Sequence, residues 1–271
     1  MYRSKLVLLF LLLQHTIKAQ SVSSFMGSRS YALGNATACI NDEWSIFNNV
    51  AGLTGINEAT ASASTLARPA LKAANKSAFV FAAPLKHGAM GIGAFHFGDA
   101  LYSENVAAMG YAHKLGITSL GIKLNYIQFN AEGYGSKGVI SESLGVNTQL
   151  TPKLSIGAHI VNVTQPRIST SDNEKLPTIL IAGAGFKASE SVFITSELEK
   201  SISLKTILKA GLEYKFQQKF FFRTAFSTNP DAGYFGVGFQ PTKLKFDYAF
   251  RFEPNVGSGH QATIGYRFLK K

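Results

Sequence analysis

The chain has 271 residues and a formal net charge of +11 at pH 7, with Lys and Arg scattered along its length. A nucleic-acid footprint needs a clustered basic patch, so we expect no nucleic-acid partner. Charged residues make up only 16% of the chain, whereas a soluble domain typically carries about a quarter, so its surface is not expected to lie wholly in water. The single cysteine, Cys39, excludes an internal disulfide framework.

The N-terminus has the pattern of a secretory signal peptide. Arg3 and Lys5 precede an apolar run from Leu6 to Leu13 that is too short to span a bilayer as a helix. We expect a signal peptide over residues 1–19, with cleavage after Ala19. Nothing after it approaches the ~20 consecutive apolar residues of a transmembrane helix, so a chain that spans a membrane would have to cross with strands.

Residues 20–55 lack the alternation of strands and carry a series of polar and small residues. The series comprises Arg29, Gly34, Ala36, Asp42, Asn49, Ala51, Gly52 and Leu53. It resembles the N-terminal signature of the FadL-like barrels, especially the PorV/PorQ branch tied to type IX secretion. In that branch an Arg and a Gly-x-Ala precede an acidic residue and then Asn-Pro-Ala-Gly-Leu, and here Val50 replaces the proline. The resemblance implies a 14-stranded barrel whose lumen holds this N-terminal segment.

From residue 56 onward the sequence predicts about fourteen strands, each bounded by Gly, Pro, Asn, Ser or charged turn residues. They are predicted near 56–66, 76–85, 89–98, 103–114, 118–130, 139–150, 154–165, 178–187, 191–200, 205–216, 220–227, 232–240, 244–252 and 260–268. Apolar and polar residues alternate within them, which assigns the two sets to opposite faces. We therefore predict an all-β fold, a transmembrane antiparallel β-barrel over residues 56–271, with residues 20–55 plugging the lumen.

A secreted antiparallel sandwich would alternate as well, and two observations favour the barrel. The polar faces mix both charge signs with many glycines, as in a filled lumen. The tight connections all join an even-numbered strand to the next odd one, namely 86–88, 115–117, 151–153, 188–190, 217–219 and 241–243. Bacterial barrels have short turns on the periplasmic side, so this parity predicts an outer-membrane location with both termini periplasmic. Phe268 near the C-terminus resembles the terminal aromatic of such barrels.

The charged residues on the predicted inner faces are expected to pair with each other or with the plug. They are Glu197, Glu199, Glu213, Asp247 and Glu253, with Lys123, Lys209, Arg223, Lys245, Arg251 and Arg267. No nucleophile elbow or nucleophile-base arrangement lies beside the carboxylates, so we expect neither an enzyme nor a cofactor.

The histidines show no metal-ligand spacing, so we predict no metal site, and a lone strand or turn histidine is usually hydrogen-bonded or solvated. These residues are His87, His96, His113, His159 and His260. The segment 133–138 fits a dinucleotide-binding pattern literally. It opens no predicted helix, so we expect an external loop there.

Two functions remain open. The first is a docking or accessory component of a protein export machinery, of the type IX secretion kind, with outer-membrane lipid and other envelope proteins as partners. Its binding loops would be 169–175 and 228–231. The alternative is a FadL-like transporter of a hydrophobic small molecule across the outer membrane, with Phe95, Phe97, Phe129 and Phe221 as inner-face contacts. The short predicted external loops favour docking, and a plug that only seals the lumen is compatible with both.

Overall fold

The computed structural model describes residues 23–168, 174–202, 204–254 and 256–269. The predicted signal peptide over 1–19 and part of the predicted loop 169–175 lie outside these residues. The described chain forms a closed antiparallel barrel in which each strand pairs with its neighbours in sequence and β1 pairs with β14. The strands are β1 (Ala59–Ala67), β2 (Lys76–Leu85), β3 (Gly88–Gly98), β4 (Tyr102–Leu115), β5 (Thr118–Ala131), β6 (Gly135–Gln149), β7 (Leu154–Val161), β8 (Ile179–Lys187), β9 (Val192–Ser201), β10 (Ile207–Phe216), β11 (Phe220–Ser227), β12 (Ala232–Phe239), β13 (Leu244–Glu253) and β14 (Gly257–Phe268).

The predicted all-β barrel of fourteen strands is confirmed, and the sandwich is excluded because the sheet closes on itself. Side chains alternate between the lumen and the outer surface along each strand. In β13, Asp247 and Ala249 are buried inside, whereas Phe246 and Tyr248 are exposed outside. A period of two gives every strand one face for each environment, which is why the alternation predicted the fold.

Two predicted strand ends were wrong by several residues. β6 begins at Gly135 rather than near 139, because Gly133 and Gly135 take positive φ angles and close a tight turn after β5. β7 ends at Val161 rather than near 165, because Asn162 takes the left-handed conformation, with φ of 58°, and ends the pairing.

The lengths of the connections differ less between the two ends of the barrel than the sequence predicts. All the short turns from even to odd strands lie at one end, which we call the turn end. The opposite loop end holds the longest connections, 68–75 and 162–178. However, the connections 99–101, 132–134 and 254–256 are as short as the turns, because strands extend further than predicted. Segment 133–138 belongs to one of these hairpins, and Tyr134 is 94% exposed at its tip.

The outer surface is apolar, with aromatic side chains near the turn end of several strands. Phe220 and Phe239 stack there with ring centroids 5.0 Å apart, and Phe268 lies 5.0 Å from the Tyr266 ring. Aromatic rings at this level are typical of the interfacial girdle of membrane barrels. None of the helices within the described ranges is long and apolar enough to cross a membrane.

The hydrophobic core lies inside the barrel, between the N-terminal segment and the wall. Met26, Leu33, Ile46, Phe47 and Leu53 are all fully buried there. The lumen is therefore packed rather than open along the described part of the chain.

Candidate functional site: the plugged lumen

The plug, residues 23–58, folds into short helices joined by turns. It contains α1 (Ser28–Ala32) and two 3-10 helices, Glu43–Ile46 and Val50–Gly55. Asp42 caps the first 3-10 helix, because its side chain accepts from the Trp44 nitrogen at 3.0 Å. Asn49 caps the second by accepting from the Ala51 nitrogen at 3.2 Å. These caps satisfy backbone donors that water cannot reach in the lumen.

Arg29 fixes α1 to the barrel wall. Its guanidinium donates to both oxygens of Glu213, at 2.9 and 2.8 Å. Glu213 in turn accepts from Arg223 at 2.6 Å, and Arg223 also pairs with Asp247. Burial acts to lower the pKa of Arg29, but Glu213 and then Asp42 raise it well above its ordinary value. The result is a chain of ion pairs that runs from the plug into β10, β11 and β13.

A second contact ties the first 3-10 helix of the plug to β13. The Lys245 ammonium donates to both oxygens of Glu43, at 2.8 and 2.7 Å. Burial acts to raise the pKa of Glu43, but Lys245 holds it below its ordinary value. Burial and then Glu43 raise the pKa of the adjacent Asp42, although Arg29 and Lys245 act to lower it. The charge of Glu43 is thus stabilised by its surroundings more than that of Asp42.

A third contact joins the plug to β9 and β10. Glu197 accepts from the backbone nitrogens of Thr37 and Ala38, both at 2.7 Å. Lys209 donates to Glu197 at 2.8 Å and to Glu199 at 2.6 Å. The predicted pairing of lumen charges with each other and with the plug is confirmed for these residues. We call the inner face of β9–β14 the charged wall.

The opposite inner face, β3–β8, meets the plug through glycines and apolar side chains, and we call it the glycine wall. A β-carbon added at Gly121 would lie 2.7 Å from the Ala51 nitrogen and 2.8 Å from a Val50 methyl group. Within this wall, an added β-carbon would also lie less than 3 Å from a plug atom at Gly93, Gly110, Gly145, Gly157 and Gly185, and the charged wall has two such positions, Gly236 and Gly259. Backbone contact of this kind fixes the depth of the plug by shape alone.

The residues of the N-terminal motif all lie in the plug, but they do not form one cluster. Arg29 and Asp42 approach each other at 3.5 Å. Asn49 and Ala51 belong to the capped second 3-10 helix, and the Asn49 amide also donates to the Val146 oxygen of β6 at 3.1 Å.

The remaining motif residues serve close packing. Gly34 takes a positive φ of 69°, which glycine tolerates best, and ends α1 against the barrel wall. Ala36 and Leu53 are fully buried, and the backbone oxygen of Ile40 leaves no room for a β-carbon at Gly52. Val50, at the position of the branch's proline, packs between Gly110 and Gly121.

The predicted inner-face phenylalanines do face the lumen. Phe95 lies 6.1 Å from the ring of plug residue Phe47, and Phe97 and Phe129 pack against the same apolar cluster. Phe221 lies on the charged wall, where the Arg223 guanidinium sits 5.2 Å from its ring.

Cys39 is held in the plug against β7 and β8. Its thiol donates to the carbonyl oxygens of Ser155 and Gly183, both at 3.6 Å. Burial raises its pKa to about 11. The thiol is therefore protonated at neutral pH, and the residue is 5% exposed at the edge of the recess at the turn end.

Recesses lie on both sides of the plug. One of about 480 Å³ opens at the turn end, beside Arg29, Asn41 and Phe193. At the loop end, a recess of about 220 Å³ borders Tyr31 and Arg68. A smaller cavity of about 40 Å³, also at the loop end, has mostly apolar walls. It is lined by Ser23, Ser24, Phe25, Phe47, Val106, Asn125, Ile127, Val161, Asn162, Leu176, Pro177 and Ile179.

Two expectations about the glycine wall were wrong. Lys123 faces inward as predicted but forms no ion pair with any described residue, because the plug presents backbone and apolar atoms to that wall. His159 is neither solvated nor hydrogen-bonded within the described chain, since it is 3% exposed and both ring nitrogens lack a partner. The Asn125 Oδ1 and the Ser143 Oγ are also buried without a hydrogen-bond partner in the described chain, which the sequence did not predict. Alternation places all four side chains inward, and the register pairs Lys123 with Ser143.

Within the described residues, no group of three or more His, Cys, Asp or Glu is arranged to hold a metal ion. Neither the protein-family models nor the curated protein sequences match the chain.

Several solved structures match it closely in fold. The monoaromatic hydrocarbon channel CymD superposes with a TM-score of 0.69 at 13% identity, covering 93% of this chain and 100% of that one. The toluene transporter TodX of P. putida gives a TM-score of 0.70 at 11% identity, covering 92% and 100%. A Pseudomonas aeruginosa FadL homologue gives 0.61 at 11% identity, covering 93% and 99%. At these identities the likeness establishes the fold, which is that of the FadL-like outer-membrane barrels.

Proposed function

We propose that the chain is a conduit for a hydrophobic small molecule across a bacterial outer membrane, with its turn end and both termini in the periplasm. The observation that carries this proposal is the mostly apolar cavity beside the plug at the loop end, where Phe47, Ile127 and Leu176 converge; its volume of about 40 Å³ has to grow by movement of the plug before a hydrophobic small molecule fits. Ligand sites are typically concave and mostly apolar, with a few polar groups at fixed positions. The fold likeness to hydrocarbon channels adds support.

The plug is the element that controls passage in this proposal. It separates the recesses at the two ends of the lumen, and its core residues Phe47 and Leu53 are fully buried. A ligand that enters at the loop end therefore meets the plug before it can reach the periplasm. We infer that binding displaces the part of the plug next to the cavity, where Ser23 and Phe25 form part of the lining.

The docking function predicted from the PorV/PorQ-like motif has less support. The structures that share the fold are named as channels and transporters, and the motif residues lie inside the barrel. Docking by the external connections stays a prediction, as does the PorV/PorQ-type assignment.

Uptake of a radiolabelled monoaromatic hydrocarbon by cells that carry the barrel tests the proposal. Val161→Phe places extra volume in the cavity, and we expect it to reduce uptake to the level of cells without the barrel. Ile156→Phe makes a similar change on the outer face of the same strand, where Ile156 is 45% exposed, and should leave uptake intact. Slower migration of boiled than of unboiled protein on gels verifies that both variants fold.

Trp44, the only tryptophan, lies buried in the plug and reports its movement by fluorescence. We expect a hydrophobic ligand to change this fluorescence in the unaltered chain and not in Val161→Phe. Equal uptake by cells with and without the barrel would overturn the proposal. So would native purification that yields a stoichiometric partner protein and no small molecule.

A further inference from the structure

Lysines that are scattered along the sequence come together at the turn end of the barrel. Each of the six turns from an even-numbered strand to an odd one, taken with the two strand residues on either side, holds a single exposed lysine. We call these the rim lysines, and they are Lys86, Lys114, Lys153, Lys187, Lys219 and Lys243. Because consecutive strands are neighbours around the closed barrel, the rim lysines encircle its mouth.

Backbone hydrogen bonds join the six turns to one another. The Lys187 nitrogen, at the end of β8, donates to the Lys153 oxygen in the turn between β6 and β7 at 2.8 Å. Equivalent bonds run from Lys114 to His87, Gln149 to Ile117, Lys215 to Ser191, Gln240 to Lys219 and Arg267 to Lys243. The backbone that carries the rim lysines is therefore fixed from one turn to the next.

The positive charge of the rim lysines is not balanced at this end of the barrel. Glu190 is the only exposed acidic residue in the described turns. Within the described chain, none of the six ammonium groups forms an ion pair. The loop end differs, because the exposed acids Asp99, Glu132 and Asp231 lie in its connections together with basic residues. The turn end thus has a ring of predominantly positive charge.

The rim lysines lie at the edge of the apolar outer surface. Five of them are chain neighbours of an exposed apolar residue, and Lys153 shares its turn with the exposed Leu150. The five apolar neighbours are Leu85, Leu115, Phe186, Phe220 and Leu244. Phe220 also stacks on Phe239 in the aromatic girdle at this end. A lysine in such a position lays its methylene stem along the apolar surface and extends its ammonium group to the level of the lipid head groups.

We propose that the rim lysines bind the phosphate groups of anionic phospholipids in the leaflet that the turn end faces. Their charge selects an anion, and their level beside the girdle selects a lipid head group. Six sites spaced around the perimeter suit separate head groups, whereas an acidic protein partner would need a clustered patch. A basic side chain close to a membrane surface typically strengthens association with anionic lipid about fivefold. The inference goes beyond the proposed conduit and holds whether or not the lumen opens.

Spin-labelled lipids test the inference on the full-length barrel reconstituted in phosphatidylcholine bilayers. Electron spin resonance gives the fraction of labelled phosphatidylglycerol, or of labelled phosphatidylcholine, that the protein immobilises. We expect the unaltered chain to prefer phosphatidylglycerol about twofold or more, averaged over the lipids of both leaflets. The preference should fall as salt is added, because salt screens exposed charges.

The test variant combines Lys153→Gln, Lys187→Gln and Lys219→Gln. It removes three of the six rim lysines, so we expect it to lose about half of the preference for phosphatidylglycerol. Lys153→Arg, Lys187→Arg and Lys219→Arg together keep the charge and should keep the preference. A shift in gel migration on boiling verifies that each variant folds.

The matched control combines Lys72→Gln, Lys175→Gln and Lys205→Gln. It removes three exposed lysines from connections at the loop end, so it loses as much net charge as the test variant. We expect the control to keep the lipid preference of the unaltered chain. Equal losses in the control and the test variant would overturn the inference, because net charge alone would then explain the preference.

Two further outcomes would also overturn the inference. One is an unaltered chain that immobilises both lipids equally. The other is an acidic protein that co-purifies with the unaltered chain and is lost from the test variant while the lipid preference stays, which would identify a protein-binding surface instead. Hydrocarbon uptake separates this inference from the conduit proposal. A test variant with reduced lipid preference and normal uptake supports the inference, whereas a barrel with the lipid preference and no uptake counts against the conduit alone.

Discussion

The charged wall and the glycine wall hold the same plug by different means. On β9–β14, carboxylates and basic side chains reach the plug through ion pairs such as Arg29 with Glu213 and Lys245 with Glu43. On β3–β8, backbone lies against backbone at residues such as Gly121. Ion pairs fix orientation by a few strong contacts, whereas glycines fix depth by shape. The glycine wall also borders the apolar cavity, so we expect a ligand to act there while the charged wall stays attached.

The largest effect is expected from breaking the charged wall at Glu213. Glu213→Gln removes the carboxylate that joins Arg29 of the plug to the fully buried Arg223. Breaking a buried ion pair by removing one partner typically costs about 3–5 kcal/mol, because the remaining charge is left uncompensated. We expect a loss of this size in the free energy of unfolding, measured by urea titration in detergent micelles with Trp44 fluorescence.

Glu190→Gln is the matched control for this prediction. Glu190 is an exposed carboxylate in the turn between β8 and β9, so its replacement should change stability by less than about 0.5 kcal/mol. Equal losses in the two variants would show that the network around Glu213 does not anchor the plug.

A smaller effect is expected from the glycine wall. Gly121→Ala inserts a methyl group against the Ala51 nitrogen, and overpacking of this kind typically costs about 1–3 kcal/mol. Gly233→Ala, on the outer face of β12 with no atom within 4 Å of the added carbon, should be neutral. The same urea titration measures the free energy of unfolding of both variants. A stable Gly121→Ala variant with unchanged Trp44 fluorescence would contradict the idea that this wall sets the depth of the plug.

The smallest effect is expected at Cys39, where the native state should not react. The thiol is buried and its pKa is raised to about 11, so the thiolate that attacks a maleimide is scarce at pH 7. The folded state therefore favours the protonated thiol, and a rise to pH 9 should restore little reactivity. Labelling followed by mass spectrometry is expected only after denaturation, and faster in Glu213→Gln than in the unaltered chain. Rapid labelling of the native barrel would show that the plug opens readily.

Alternation along the strands was enough to predict the barrel and the facing of residues such as Asp247 and Phe246. Strand ends were harder to predict. The turn after β5 depends on the positive φ angles of Gly133 and Gly135, and the presence of glycine alone does not fix those angles. The inward charges were predicted as a set. Their partners were not, since Arg29 meets Glu213 across 184 residues of sequence and the contact depends on the register of several strands.

Lys123 is a second case in which the sequence predicted the facing of a charged residue but not its surroundings. Its inward position follows from alternation with Leu124 and Tyr126. Lys123 was expected to pair with an acidic residue, but it lies on the glycine wall, to which the plug presents backbone and apolar atoms. The ion pairs of Arg29 and Glu43 with the barrel lie on β10 and β13. Residue type alone does not reveal which wall a plug residue will meet.

The pairing of β1 with β14 has a consequence for the order of assembly. Residues 56–58 alone separate the second 3-10 helix of the plug from β1, so the segment is tethered at the seam where the first and last strands meet. Once that seam has closed, the enclosed segment has no sideways route and would have to thread through one mouth of the cylinder. We therefore expect the N-terminal segment to take its place before β1 pairs with β14, so that the strands of the barrel assemble around it.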